Sequence, residues 1–455
     1  MLGGILKKTR SYEDRISHLP DHLITCHILT RITTWDAVRT SVLSTRWRNL
    51  WQLVPSLDLD SGRHFWLFSD FVSFVGRFLD LHKDHSLIQK LCLTIHDRYA
   101  GKSYLTSWID VVTRGRIQHL DISFIKDSGF GDIPMSVYTC GTLVHLRLCR
   151  LNLVNVEFVS LPCLKILYLK YIHSPSEAIL ERLISGCPVL EDLTLTDSSS
   201  ENVKVLQVRS KTLKRIHINE IFHVVIDAPL LQCLKTVFHR TKKDTVINSS
   251  FPAKVDISFG GSNDTLDPNR VSRRKAIRDI LTDISRVREL AIKLHSWKDI
   301  FPRLESGPLL HFSYLSRLTA TFCNYDLRML QTLLKSCPKL ESLNLVLVEN
   351  RHFFLCDTEN SEPKLTFHMV EIPCLVSSLK FVEFKSPILG HEGEMDLVKF
   401  FLKNSSILEK LSVTFSDLHL TKWVKATKRV KAADFILREF LAMPRCSSTC
   451  QLIVV

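Results

Sequence analysis

The chain has 455 residues, 45% of them hydrophobic and 24% charged, a balance that excludes a disordered or fibrous chain. It is long enough for one large core, or for a small module followed by an elongated array. The 60 Lys and Arg against 47 Asp and Glu give a net charge of +13. The excess is spread along the chain, with local clusters at Arg270–Arg278 and Lys422–Lys431. Nucleic-acid or other polyanion binding is one reading of that charge, and a solvated face or a surface for an acidic protein is the other. No nucleic-acid-binding motif accompanies it, which favours the second.

No run of about 18 apolar residues exists, so no membrane span is expected. Residues 1–10 are too short in apolar content for a secretory signal. The expected compartment is cytoplasm or nucleus. The 13 cysteines form no Cys-x-x-Cys pair. Buried free thiols are the expectation, and no metal site.

From Glu13 to Asp60 the chain reads as a compact set of short helices. Leu19-Pro20-Asp21 is a helix start, with Pro in the first turn, where its missing N–H costs nothing. Leu23, Ile24, Ile28 and Ile32 follow at helical spacing. Thr34 or Asp36 is expected to cap a second helix carrying Ala37, Val38 and Val42. Thr45–Trp51 makes a third helix, and Pro55 closes the segment. A segment this short buries too little to be stable alone, so part of its apolar surface should meet a partner or the next domain.

The run Leu19-Pro20-Asp21-His22-Leu23-Ile24, followed by Asp36-Ala37-Val38-Arg39-Thr40-Ser41-Val42-Leu43-Ser44-Thr45-Arg46-Trp47-Arg48-Asn49-Leu50-Trp51, resembles the F-box of plant F-box/leucine-rich-repeat proteins. In that family the module docks on a Skp-type adaptor, which links it to a cullin ubiquitin ligase. The resemblance implies that Leu19 and Pro20 sit in the adaptor contact. It implies that Leu23, Ile24, Ile28, Val38, Leu43 and Trp47 serve the contact or the fold. His22 stands where many members carry an acidic residue, which should weaken a local contact without abolishing docking.

Beyond residue 60 a Leu-x-x-Leu-x-Leu pattern recurs. It appears as Ile88/Leu91/Leu93, Ile117/Leu120/Ile122, Leu143/Leu146/Leu148, Leu164/Leu167/Leu169, Leu190/Leu193/Leu195 and Leu213/Ile216/Ile218. It continues as Val287/Leu290/Ile292, Leu315/Leu318/Ala320, Leu340/Leu343/Leu345, Leu379/Val382/Phe384 and Leu408/Leu411/Val413. Early copies lie at intervals in the twenties, the leucine-rich-repeat period. A longer frame, Leu180-x-x-Leu183-x-x-x-Cys187-Pro188-x-Leu190-Glu191-x-Leu193-x-Leu195, returns at Leu330–Leu345 with Cys337 and Pro338. It returns more loosely at Val398–Val413, with Ser405 in place of Cys. Each copy reads as helix, turn, strand. One unit cannot bury its own apolar face, so the units must stack into a solenoid. Insertions forming loops are expected near residues 97–115, 240–285 and 349–372.

Asp132-Ile133-Pro134 with Ser136-Val137-Tyr138-Thr139-Cys140, and Leu161-Pro162 with Leu164-Lys165, resemble the repeat region of the same family. Glu394–Asn404, Leu408–Leu411 and Pro444–Gln451 resemble its FBD domain, similar to a last repeat plus a closing segment. The expected fold class is α/β. Residues 11–60 form the F-box. Residues 61–372 form an irregular leucine-rich-repeat solenoid, a curved parallel sheet with helices outside. Residues 373–455 form an FBD cap.

The chain contains no Walker loop, and Gly129-Phe130-Gly131 fails as a dinucleotide motif at its third glycine. There is no Gly-x-Ser-x-Gly or His-Glu-x-x-His. The expectation is therefore a non-catalytic chain without cofactor. It would act as the substrate receptor of a Skp–cullin–F-box ubiquitin ligase, holding a protein substrate captured directly or with the help of a small molecule. The alternative is a basic scaffold for nucleic acid or another polyanion. The x positions of the repeats, among them Arg147, Tyr168, Thr194, His217 and Asn344, should form the concave, substrate-facing surface.

Overall fold

The computed structural model describes residues 16, 18–81, 87–96, 102–125, 131–173, 176–196, 205–220, 223–238, 246–247, 253–259, 270–294, 297, 300–301, 310–348, 371–388, 392–415, 438–440 and 442–454. They fall in two compact units, Met1–Leu190 and Glu191–Val455.

The first unit opens with a module of short, irregular helical turns. Asp21–Leu23 (α1) continues through a wide turn, Ile24–Ile28, and a narrow one, Leu29–Arg31. Pro20 stands before α1 and not in its first turn, and its carbonyl accepts from Leu23 N and Ile24 N. Thr34–Arg39 (α2) is capped by Thr33, one residue earlier than the sequence suggested. Thr33 Oγ1 accepts from Asp36 N at 3.2 Å and donates to the Asp36 carboxylate at 2.8 Å. A cap must have extended backbone, which Thr33 has. Thr34 is already helical, and its hydroxyl accepts from Asp58 N at 2.8 Å instead. Trp47–Leu53 forms a last narrow turn that buries Trp47, Leu50 and Trp51.

The expectation of helix through Asp60 fails at Ser56. Ser56–Asp60 is the first strand (β1), with Leu57 and Leu59 inward. Val54, Leu57 and Leu59 fit the repeat spacing, so the pattern already begins here. Then come α3 (Phe68–Leu81), β2 (Lys90–Ile95), α4 (Lys102–Thr113), β3 (His119–Phe124), β4 (Gly131–Asp132), β5 (His145–Cys149), β6 (Leu151–Asn152), β7 (Ile166–Lys170) and α5 (Glu177–Ser185). Strands β1, β2, β3, β5 and β7 pair in that order, all parallel. Parallel neighbours need a crossover, supplied here by α3 and α4. The expected loop insertion at residues 97–115 is thus corrected: α4 is a repeat helix burying Leu105, Trp108, Ile109 and Val112. Trp51 meets Phe78 of α3 at 5.1 Å between ring centroids, joining the helical module to the first repeat.

The second unit runs β8 (Asp192–Thr196), β9 (Val205–Arg209), β10 (Arg215–Glu220), β11 (His223–Asp227), β12 (Cys233–Phe238), β13 (Val246–Ile247), β14 (Lys254–Phe259), α6 (Arg270–Asp283), β15 (Glu289–Lys293), β16 (Arg317–Cys323), α7 (Leu330–Lys335), β17 (Ser342–Val348), α8 (Pro373–Ser377), β18 (Phe381–Ile388), α9 (Glu392–Asn404), β19 (Lys410–Phe415) and β20 (Gln451–Val454). A parallel sheet follows the order β8-β10-β12-β14-β15-β16-β17-β18-β19-β20. Between β8 and β14 the second layer is not helical as expected but a small parallel sheet, β13-β11-β9. The local sequence explains this. Val205-Leu206-Gln207-Val208 and His223-Val224-Val225-Ile226 alternate with period two and are rich in β-branched residues. The segment 240–285, expected as an insertion, contributes β14 and α6 to the repeat array, while residues 349–370 lie outside the described residues.

In all eleven copies of the Leu-x-x-Leu-x-Leu pattern the second and third positions lie on strands of these sheets and the first stands two residues before its strand, and none of these positions is more than 3% exposed. In the longer frame, Leu180, Leu183, Cys187, Leu330, Leu333, Cys337, Val398, Phe401 and Ser405 are all buried. Among the described residues no helix is long and apolar enough to cross a membrane.

Candidate functional site

Two surfaces stand out. The first lies on the N-terminal module. Arg46 fixes it by donating from Nε to Asp21 Oδ1 at 2.9 Å and from Nη2 to the Leu19 carbonyl. This ties the start of the third turn to the Leu-Pro-Asp corner. Ile24 is 0% exposed and Trp47 6%, so these two of the expected contact residues belong to the core of the module. They shape the face without lining it. Leu19, Leu23, Ile28 and Val38 are half-buried and Pro20 is exposed. Leu43 is 66% exposed and its neighbour Val42 85%. The sequence spacing predicts Val42 on the second helix, which ends at Arg39. Val42 lies in a narrow turn, Thr40–Val42, that points it into solvent.

The second surface is the polar face of the sheets. In the first unit one residue from each strand forms a row across the sheet: Asp58, Cys92, Asp121, Arg147 and Tyr168. Arg147 and Tyr168, expected on the substrate-facing surface, are direct neighbours. The Arg147 guanidinium lies 4.5 Å from the Tyr168 ring centroid, and its Nε is 3.7 Å from Asp121 Oδ2. Alongside, the His119 and His145 rings meet edge to face at 5.7 Å. Burial lowers the pKa of both below the usual histidine value. Lys90 lowers His119 further, and His119 itself, Arg147 and Lys90 lower His145 against a pull from Asp121. The Asp58 carboxyl is pushed up by burial, with Asp60 and Asp121 adding to the effect and Arg63 and Lys90 opposing it.

In the second unit the equivalent row is Thr194, His217, Lys235, Asp256, Ala291, Thr319, Asn344, Glu383 and Ser412. Thr194 and His217 are adjacent, and Asn344 shares the row, donating from Nδ2 to Thr319 Oγ1 at 3.3 Å. Opposite charges alternate along it and beside it. Lys235 meets Asp256 at 3.4 Å, and Glu289 meets Arg317 at 2.9 Å. All five residues expected on this surface thus occupy one row position, two in the first unit and three in the second.

The basic segment Arg270–Arg278 is part of α6, which buries Ala276, Ile277, Ile280 and Leu281. The other, Lys422–Lys431, lies outside the described residues. No group of three or more His, Cys, Asp or Glu suited to a metal ion occurs among the described residues. Burial pushes the thiols up, to about 12 for Cys187 and Cys374 and about 11 for Cys323, away from nucleophilic character.

Comparison with known proteins places these surfaces in context. The F-box domain family matches residues 16–59, the FBD family matches residues 371–413, and the LRR repeats of the FBD-associated F-box protein At5g56370 match residues 105–254. The chain is 52% identical to the F-box/FBD/LRR-repeat protein At5g53840 of Arabidopsis thaliana over 98% of its own length and 96% of that protein's. It is 49% identical to the F-box/FBD/LRR-repeat protein At1g51370 of the same plant over the full length of both. The putative FBD-associated F-box protein At5g53635 is 41% identical, over 97% of this chain and 100% of that one. With an F-box, leucine-rich repeats and an FBD in one chain, and full-length likeness to such proteins, the chain belongs to the family of F-box/FBD/LRR-repeat proteins.

Proposed function

We propose that this chain is the substrate-recognition subunit of a Skp–cullin–F-box ubiquitin ligase, acting in the cytoplasm or nucleus. F-box domains bind Skp-type adaptors, and the combination with leucine-rich repeats implies a substrate-adaptor role. The observation that carries the reading is the exposed apolar ridge of the F-box. A valine that is 85% exposed beside a leucine that is 66% exposed is a surface made to be covered. The sheet faces then hold the protein to be ubiquitinated. No catalytic group is required of the chain itself. It raises the local concentration of substrate lysines near a charged ubiquitin-conjugating enzyme.

The test is a pull-down of the full chain by a Skp-type adaptor, comparing wild type with Leu19→Ala/Pro20→Ala, with folding monitored by circular dichroism. Capture of the wild type and loss in the folded variant supports the reading. Equal capture of both, or of neither, removes it.

A further inference from the structure

The polar face of the first unit is electrically divided. Asp58, Asp60 and Asp121 lie on β1 and β3, with Lys90 on β2 between them and Arg63 3.1 Å from Asp60, whereas Arg147, Lys170 and Arg150 lie on or just past β5 and β7 with one carboxylate, Asp121, in reach of Arg147. The basic end is built on aromatic rings. Besides Arg147 over Tyr168, the Arg150 guanidinium lies 5.7 Å and the Lys170 ammonium 4.9 Å from the Tyr171 ring centroid. Arg150 and Tyr171 follow β5 and β7 at equivalent places, and both hold left-handed backbone, with φ of 59° and 52°. That conformation is disfavoured for large side chains and persists where the surroundings enforce it. Arg150 N donates to Lys170 O at 2.9 Å, locking the two strand ends together.

A guanidinium held over an aromatic ring has already lost much of its rotamer freedom, and its planar fork of N–H donors suits a carboxylate. We propose that this cluster takes an acidic peptide segment of the recruited protein, an inference that rests on the substrate-receptor reading. A nucleic acid fits less well, because its closely spaced phosphates would run onto the aspartates of β1 and β3. Asp121 plays a dual part: it positions Arg147, and it competes with the incoming carboxylate.

The experiment uses the full chain and fluorescence anisotropy at low salt. The probe is a fluorescein-labelled oligoglutamate peptide, and an oligothymidylate is the competitor. Arg147→Ala/Lys170→Ala should weaken peptide binding about ten-fold, whereas Asp121→Asn should strengthen it about three-fold. Tyr171→Gly, which suits the left-handed backbone, should keep the melting temperature and weaken binding. Lys399→Ala/Lys403→Ala, in the second unit, makes the same change of net charge and should have no effect. The proposal is overturned if that control weakens binding equally, if the peptide does not bind, or if the oligothymidylate displaces it at lower concentration. Adaptor pull-down of the same samples separates the two readings. Adaptor binding without peptide binding sinks only this inference, and peptide binding without adaptor binding sinks the ligase reading.

Discussion

Replacing Val42 and Leu43 together by alanine separates the adaptor face from the core of the F-box. Both side chains are largely in solvent, at 85% and 66% exposure, so their loss should change folding stability by no more than about 0.5 kcal/mol. Covered by an adaptor, the two truncations would remove five carbons from the contact. At roughly 0.8 kcal/mol per buried methylene, scaled to the surface now exposed, the loss is about 3 kcal/mol. That is about two orders of magnitude in Kd. Titration calorimetry with a Skp-type adaptor measures the affinity, and a thermal melt measures the fold. Trp47→Ala provides the contrast, since removing this buried ring should cost about 3–5 kcal/mol of stability. A double variant that melts normally and binds within three-fold of wild type would refute the assignment of this ridge. A double variant that fails to fold would refute the claim that these side chains lie outside the core.

Other outcomes follow from the interior and the sheet face. Ser405 is fully buried, and its hydroxyl has no hydrogen-bond partner among the described residues, where the other two copies of the frame carry Cys187 and Cys337. Ser405→Cys should therefore raise stability by about 1 kcal/mol in chemical denaturation; a loss would mean that the hydroxyl has a role. The lowered values of His119 and His145 mean that the unfolded chain binds protons the folded chain does not. Their contribution is complete above about pH 6.5 and is lost as pH falls through the folded values, so His145→Gln should flatten the pH dependence of the melting temperature in that window. An unchanged slope would show that the pair is not coupled to folding. Iodoacetamide followed by mass spectrometry should label exposed Cys26, Cys163 and Cys446 well before buried Cys187, Cys337 and Cys374. Early labelling of Cys337 would contradict its packing.

Legibility in the sequence tracked the strength of local patterns. Strands such as β7 and β17 were readable because burial on one face imposes strict alternation, and the same frame repeated in register. Two of the strands left out, β12 and β20, break that frame. Thr236 fills an inward position of β12, and Thr449 stands where β20 would offer its first aliphatic. β1 was hidden by its nearness to helical turns. The small sheet of β9, β11 and β13 is not legible from the repeat frame, whose other copies return through helices, although its Val and Ile residues favour strands. On the F-box, helical spacing could not separate Ile24 and Trp47, which are buried, from Leu43, which is exposed. Irregular turns decide which apolar residue points outward, and helical periodicity does not see them. The cation–aromatic stacking on β5 and β7 depends on cross-strand register, which no single repeat encodes.

The in-register pairing has a consequence for how such a chain changes over time. Along each strand, inward and outward positions are independent alphabets. The inward letters are held to a few aliphatic residues by the core, and the outward letters form a column in which each strand supplies one character per row. A change at Tyr168 or Lys235 rewrites the exposed text without disturbing Leu167 or Leu234 beneath it. One scaffold can therefore carry many unrelated messages, and chains that share their hidden letters can diverge freely in what they read.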